Sequence, residues 1–181
     1  MLMLVSPLYI FAHLIRLLHG GRVLHLARLV HAAADEHALF LRAVRTGNKS
    51  IFVTHSQGGA VGWDVPVENI AAIVAIEPGG TPQVGSEQYN RLLEAKIPIA
   101  IYFGDYIDNG PEDIASTGFW KMVRDGALDF AEHYNADGGD CTVVDLPKIG
   151  ITGNSHFMFQ EMNSDEIAAN IESWLGEHGL N

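Results

Sequence analysis

The chain has 181 residues, 48% of them apolar and 18% charged, with a formal net charge of −11. That is enough for one globular domain with its own core and excludes a disordered chain. The acidity excludes a basic nucleic-acid-binding surface, and the single cysteine, Cys141, excludes an intrachain disulfide.

Residues 1–47 are unlike the rest. They carry Arg16, Arg22, Arg28, Arg42 and Arg45 but only Asp35 and Glu36 as acids. Histidine and arginine alternate at a spacing of three from His13 to His31. A period of three drifts around an α-helix, so these side chains form no single ligand face and predict no metal site. We read 1–47 as a helical, atypical N-terminal segment. Met1 to Leu18 is apolar but interrupted by Ser6, Pro7, His13 and Arg16. Neither a signal peptide nor a membrane span is expected there. Lone Cys141, a small buried hydrophobe by its setting, fits a reducing, cytoplasmic setting without requiring one.

From residue 48 the organisation is regular. Ser50 to His55 predicts a strand, and Gly58 to Asp64 a short helix stopped by Pro66. Ile70 to Ile76 is a continuous apolar run, as expected of a strand covered on both faces. Ser86 to Ala95 predicts a helix with Ser86 as N-cap. Ile99 to Phe103 predicts a strand. Pro111 to Tyr134 reads as mostly helical, broken near Gly118 or Gly126. Cys141 to Leu146 predicts the last strand. Ser164 to His178 predicts an amphipathic helix capped by Ser164. Strands alternating with helices predict an α/β fold: a parallel sheet of about four strands with helices on both faces.

Chemistry concentrates at three strand ends. Ile51-Phe52-Val53-Thr54-His55-Ser56-Gln57-Gly58-Gly59 is an apolar strand that ends on a serine followed by glycines. A sharp strand-to-helix turn there exposes the Ser56 hydroxyl, the geometry of a nucleophile elbow. A serine needs a base. Gly150-Ile151-Thr152-Gly153-Asn154-Ser155-His156 supplies one on a glycine-rich loop after the last strand. The third member must be a carboxylate that fixes the imidazole tautomer. Glu77 follows one strand and Asp105 the next, both where catalytic groups of open α/β sheets gather. The residue pattern leaves both open; Asp108 reads as a plain loop acid.

Thr-His-Ser-Gln-Gly-Gly, Val-Ala-Ile-Glu-Pro and Gly-Asn-Ser-His-Phe-Met, in that order, resemble the C-terminal half of the α/β-hydrolase superfamily over residues 45–175. More narrowly they are similar to bacterial carboxylic-ester hydrolases whose triad acid is a Glu after the sixth strand of the fold. Thr54 departs from the usual G-x-S-x-G pattern. The resemblance implies Ser56 as nucleophile, His156 as base and Glu77 as acid, with residues 48–181 as the C-terminal half of a catalytic domain. It implies cleavage of a small-molecule ester through an acyl-enzyme, with the Gln57 backbone N–H as one oxyanion donor. No metal, organic cofactor, nucleic acid or membrane is called for.

A full domain of this fold has four strands before the elbow, including the loop that supplies a second oxyanion donor. His19-Gly20-Gly21 lies too close to Ser56 to be that loop, because a helix, a strand and a helix between them take roughly 50 residues. The alternative expectation is therefore a truncated or non-catalytic hydrolase-like domain with an incomplete oxyanion hole. The elbow strand would then be an exposed apolar edge, prone to homo-oligomer formation.

Overall fold

The computed structural model describes residues 25–26, 49–110 and 115–180. Strands β1 (His25–Leu26), β2 (Ser50–Ser56), β3 (Ile70–Pro78), β4 (Pro98–Phe103) and β5 (Asp140–Asp145) form one parallel sheet in chain order. The helices are α1 (Gln57–Val61), α2 (Glu87–Glu94), α3 (Tyr106–Asn109), α4 (Ala115–Ala136) and α5 (Ser164–Glu177). This is the expected α/β architecture. The four longer strands are the four expected from residue 48 onward.

Alternate residues of each strand feed two cores. On one face Phe52, Ile73, Ile99, Ile101 and Phe103 meet α2 and α4 through Tyr89, Leu92, Ala127, Phe130 and Tyr134. On the other, Ile51, Val53, Val74, Ile76 and Tyr102 meet α5. The α5 contacts, Ile167, Ile171, Trp174 and Leu175, recur at i, i+4, i+7 and i+8, the stripe of an amphipathic helix. Each such side chain, fully buried, contributes about 1.5–3 kcal/mol. Both faces covered is why the strands read as unbroken apolar runs.

Three details differ from expectation. Helix α4 runs unbroken through Gly118 and Gly126. Both glycines lie on its exposed side with open space around them, so each costs helix propensity and nothing more. Residues 111–114 of the expected helix lie outside the described residues. The N-cap of α5 is Asn163, not Ser164, and its side chain makes no capping bond. That side chain is engaged elsewhere, donating to the main-chain oxygen of Thr152 at 3.0 Å. Finally, β1 pairs in parallel with Phe52 and Val53 of β2. His25–Leu26 is thus extended rather than helical. The expected bare edge is covered at those two positions. The rest of the 1–47 segment, including His19-Gly20-Gly21, lies outside the described residues.

Candidate active site

The backbone is most contorted where β2 ends. Ser56 has φ 56° and ψ −126°, a conformation that L-residues rarely adopt and that costs of order 1–3 kcal/mol. Close approach holds it. A Cβ on Gly59 would lie 2.5 Å from the Pro78 Cβ, so only glycine lets α1 pass the end of β3. The Gly79 N–H donates to the Ser56 main-chain oxygen at 2.8 Å. Gln57, the first residue of α1, follows at once with its side chain exposed.

Glu77 reaches the same place through an irregularity in β3. His55 pairs with Ile76 and Ser56 with Pro78, so Glu77 is the extra residue of a bulge, with φ 38°. Bulges re-aim a side chain out of the strict alternation of a strand. Glu77 is only 2% exposed. Its Oε1 accepts the Gly104 N–H at 2.8 Å and its Oε2 lies 2.5 Å from His156 Nδ1. A Cβ on Gly104 would stand 3.1 Å from that Oε1 and 2.7 Å from the Asn154 main-chain oxygen. A side chain there would push the acid and the histidine loop apart.

A carboxylate can only accept, so His156 Nδ1 carries the proton and donates to Glu77. The Nε2 lone pair then faces Ser56 Oγ at 2.8 Å and accepts its hydroxyl proton. An imidazole between a serine hydroxyl and a buried carboxylate is an arrangement able to take a proton from the serine and hold the resulting cation. The structure thus brings together Ser56, His156 and, of the two acids that the residue pattern left open, Glu77.

Asp105, the other candidate acid, does something else. Its two oxygens accept from the Gly153 N–H at 3.0 Å and the Asn154 N–H at 2.6 Å. It clamps the loop that carries His156. Asn154, fully buried, exchanges amide hydrogen bonds with Asn163, and Ser155 Oγ donates to Glu161 at 2.5 Å. Asp108 is held by Arg124 at 2.6 and 2.8 Å, and that guanidinium keeps its carboxyl below the usual range.

His55 was not anticipated. Its Nε2–H donates to the main-chain oxygen of His156 at 2.8 Å, and its ring lies 4.5 Å from the His156 ring and edge-on to Phe159. Burial, first, pushes its pKa down to about 4, with the bond to the carbonyl opposing. It is therefore neutral near pH 7. Its only signal in the sequence is its place beside Ser56, and that does not reveal a bond to a loop 101 residues away. A histidine held below its unfolded pKa of 6.5 leaves the unfolded chain to bind the proton first. Its contribution is complete above about pH 6.5 and is lost as the pH falls toward 4. His55→Gln keeps an N–H donor and does not titrate. The fall in Tm between pH 6.5 and 4 is expected to be shallower in this variant than in wild type; parallel profiles would refute the assignment.

Among the described residues no group of three or more His, Cys, Asp or Glu side chains could hold a metal ion, and no helix is long and apolar enough to cross a membrane.

The fold defines an α/β protein. Among solved structures the chain is similar to a bacterial esterase determined at atomic resolution, with 29% sequence identity and a TM-score of 0.66. The match covers 79% of this chain and 42% of the esterase, so the chain spans less than half of that protein's length. The likeness supports a hydrolase-like fold. No protein-family model and no curated protein matches the sequence.

Proposed function

We propose that this chain hydrolyses carboxylic esters through an acyl-enzyme, with Ser56 as nucleophile, His156 as general base and Glu77 as the orienting acid. The observation that carries the proposal is the unbroken hydrogen-bonded line from Ser56 Oγ through both imidazole nitrogens to Glu77. The backbone strain at Ser56 and Glu77, and the likeness to a bacterial esterase, support it.

Ser56 Oγ attacks the ester carbonyl carbon while His156 Nε2 takes its proton. The carbonyl oxygen becomes an oxyanion, for which the Gln57 N–H is the proposed donor; one such donor is worth about 2.7–4 kcal/mol. The imidazolium, held by Glu77, passes the proton to the alcohol oxygen as the carbon–oxygen bond breaks. Water then attacks the acyl-enzyme, giving its proton to His156, and the acid leaves as Ser56 Oγ is reprotonated.

A competing reading is a hydrolase-like domain without a complete oxyanion hole, in which Ser56 is no more reactive than any other serine. A fluorophosphonate probe separates the two. Peptide mass spectrometry is expected to find the label on Ser56, formed at least about a hundredfold more slowly in His156→Ala. Labelling at the same slow rate in both proteins would favour the non-catalytic reading.

A further inference from the structure

The imidazole of His156 has aromatic neighbours that the proposed reaction does not use. The ring of Trp120, on α4, lies 4.2 Å from it, tilted by 37°. Phe157, on the loop after β5, stands edge-on at 5.3 Å. Phe119 stands edge-on to Trp120 at 5.3 Å. Phe119 is 45% exposed and Phe157 48%. Two separate chain segments thus bring apolar rings to one titratable group and leave part of each facing outward. The core aromatics Tyr89, Phe103, Phe130 and Tyr134 are, by contrast, fully buried. Water gains nothing from such rings, whereas a flat apolar ligand does.

The position of these rings relative to the reacting bond decides which part of a substrate meets them. In acylation His156 Nε2 must deliver its proton to the departing alcohol oxygen. The alcohol portion therefore lies on the histidine side of the scissile bond and the acyl portion on the serine side. Besides Ser56 and Glu77, the side chains against the His156 ring are the rings of His55, Trp120 and Phe157.

We propose that Phe119, Trp120 and Phe157 form a subsite for the leaving alcohol, and that the substrates are esters of an alcohol bearing an aromatic ring. This rests on the esterase reading above. Binding of the ring costs little ordering, because Trp120 and Phe157 are each already held against His156 and Phe119 against Trp120. The ester bond breaks as Ser56 Oγ bonds to the carbonyl carbon, and the alcohol leaves carrying the proton from His156.

The test holds the acyl group constant. Methyl, butyl and benzyl acetate all yield the same acetyl-enzyme, so differences in kcat/KM between them arise before the alcohol departs. After correction for their rates with hydroxide, benzyl acetate is expected to be favoured over methyl acetate by more than about tenfold, with butyl acetate between them. Phe119→Ala is expected to lower the benzyl-to-methyl ratio by roughly five- to tenfold, as loss of one aromatic wall implies. The ratio is internal to each preparation, so a partly misfolded variant does not distort it. Ser56-dependent hydrolysis with no benzyl preference, or a ratio unchanged in both Phe119→Ala and Phe157→Ala, overturns the subsite and leaves the esterase reading intact. No Ser56-dependent hydrolysis of any acetate overturns both.

Discussion

Replacing Ser56 with alanine is expected to lower kcat for p-nitrophenyl acetate by about 10⁴–10⁶, down to the level of general, site-independent hydrolysis. The effect is large because the proposed covalent step has no substitute. Water admitted into the space left by Oγ would be neither positioned by the backbone of β2 nor bonded to His156 in the same line. Stability is expected to change little, since Ser56 is only partly buried and its hydroxyl is bonded to one partner, His156. The pair of measurements is diagnostic: lost turnover with an unchanged Tm assigns the loss to chemistry. Equal turnover by wild type and variant would end the enzymatic reading.

The second large effect separates the two carboxylates. Glu77→Gln is expected to lower kcat by about 10⁴, because it selects the wrong imidazole tautomer. The Gln oxygen can still accept from the Gly104 N–H, which leaves its NH₂ facing His156 Nδ1. Nδ1 must then accept, Nε2 must carry the proton, and Nε2 can no longer take one from Ser56. Asp105→Asn acts on the loop instead. One of its two bonds to Gly153 and Asn154 becomes a donor facing a donor, costing about 1–2 kcal/mol of stability. His156 shifts with the loop, and a shift on the order of 1 Å costs up to about 10² in rate. Measured kcat and Tm for both variants decide the matter. A larger loss of kcat in Asp105→Asn than in Glu77→Gln would reverse the assignment.

The comparison between those two acids shows where local information ends. Both come at the end of an apolar run, Glu77 just after Ile76 and Asp105 two residues after Phe103, and both residues end up buried. What distinguishes them is a bulge at Glu77 and the pairing of Asp105 with two loop amides. Each depends on residues far along the chain: on β2 for the bulge, and on Gly153 and Asn154 for the clamp. His55 is a stronger case. Nothing near it in the chain announces that it holds the carbonyl of His156. The cap of α5 is similar in kind, because Asn163 is drawn toward Thr152 and Asn154 rather than toward its own helix.

The parts that were legible are those governed by neighbours in sequence. Apolar runs of strand length, the serine followed by two glycines, and the i, i+4, i+7 stripe of α5 follow from local sterics and one-dimensional burial patterns. They define a parallel α/β sheet with Ser56, Glu77 and Asp105 as candidates after strands and His156 on the loop that follows the last one. Helix continuity through Gly118 and Gly126 was not legible, because a glycine breaks a helix only when packing does not hold it, and α4 packs on the sheet through Ala127, Phe130 and Tyr134. Which of Glu77 and Asp105 faces His156, the neutral His55 behind the loop, and the rings around His156 were decided in three dimensions. A hydrogen bond or ring contact between residues 27 to 101 positions apart has no signature in either partner's local sequence, and exists only once the sheet has set the strand ends side by side.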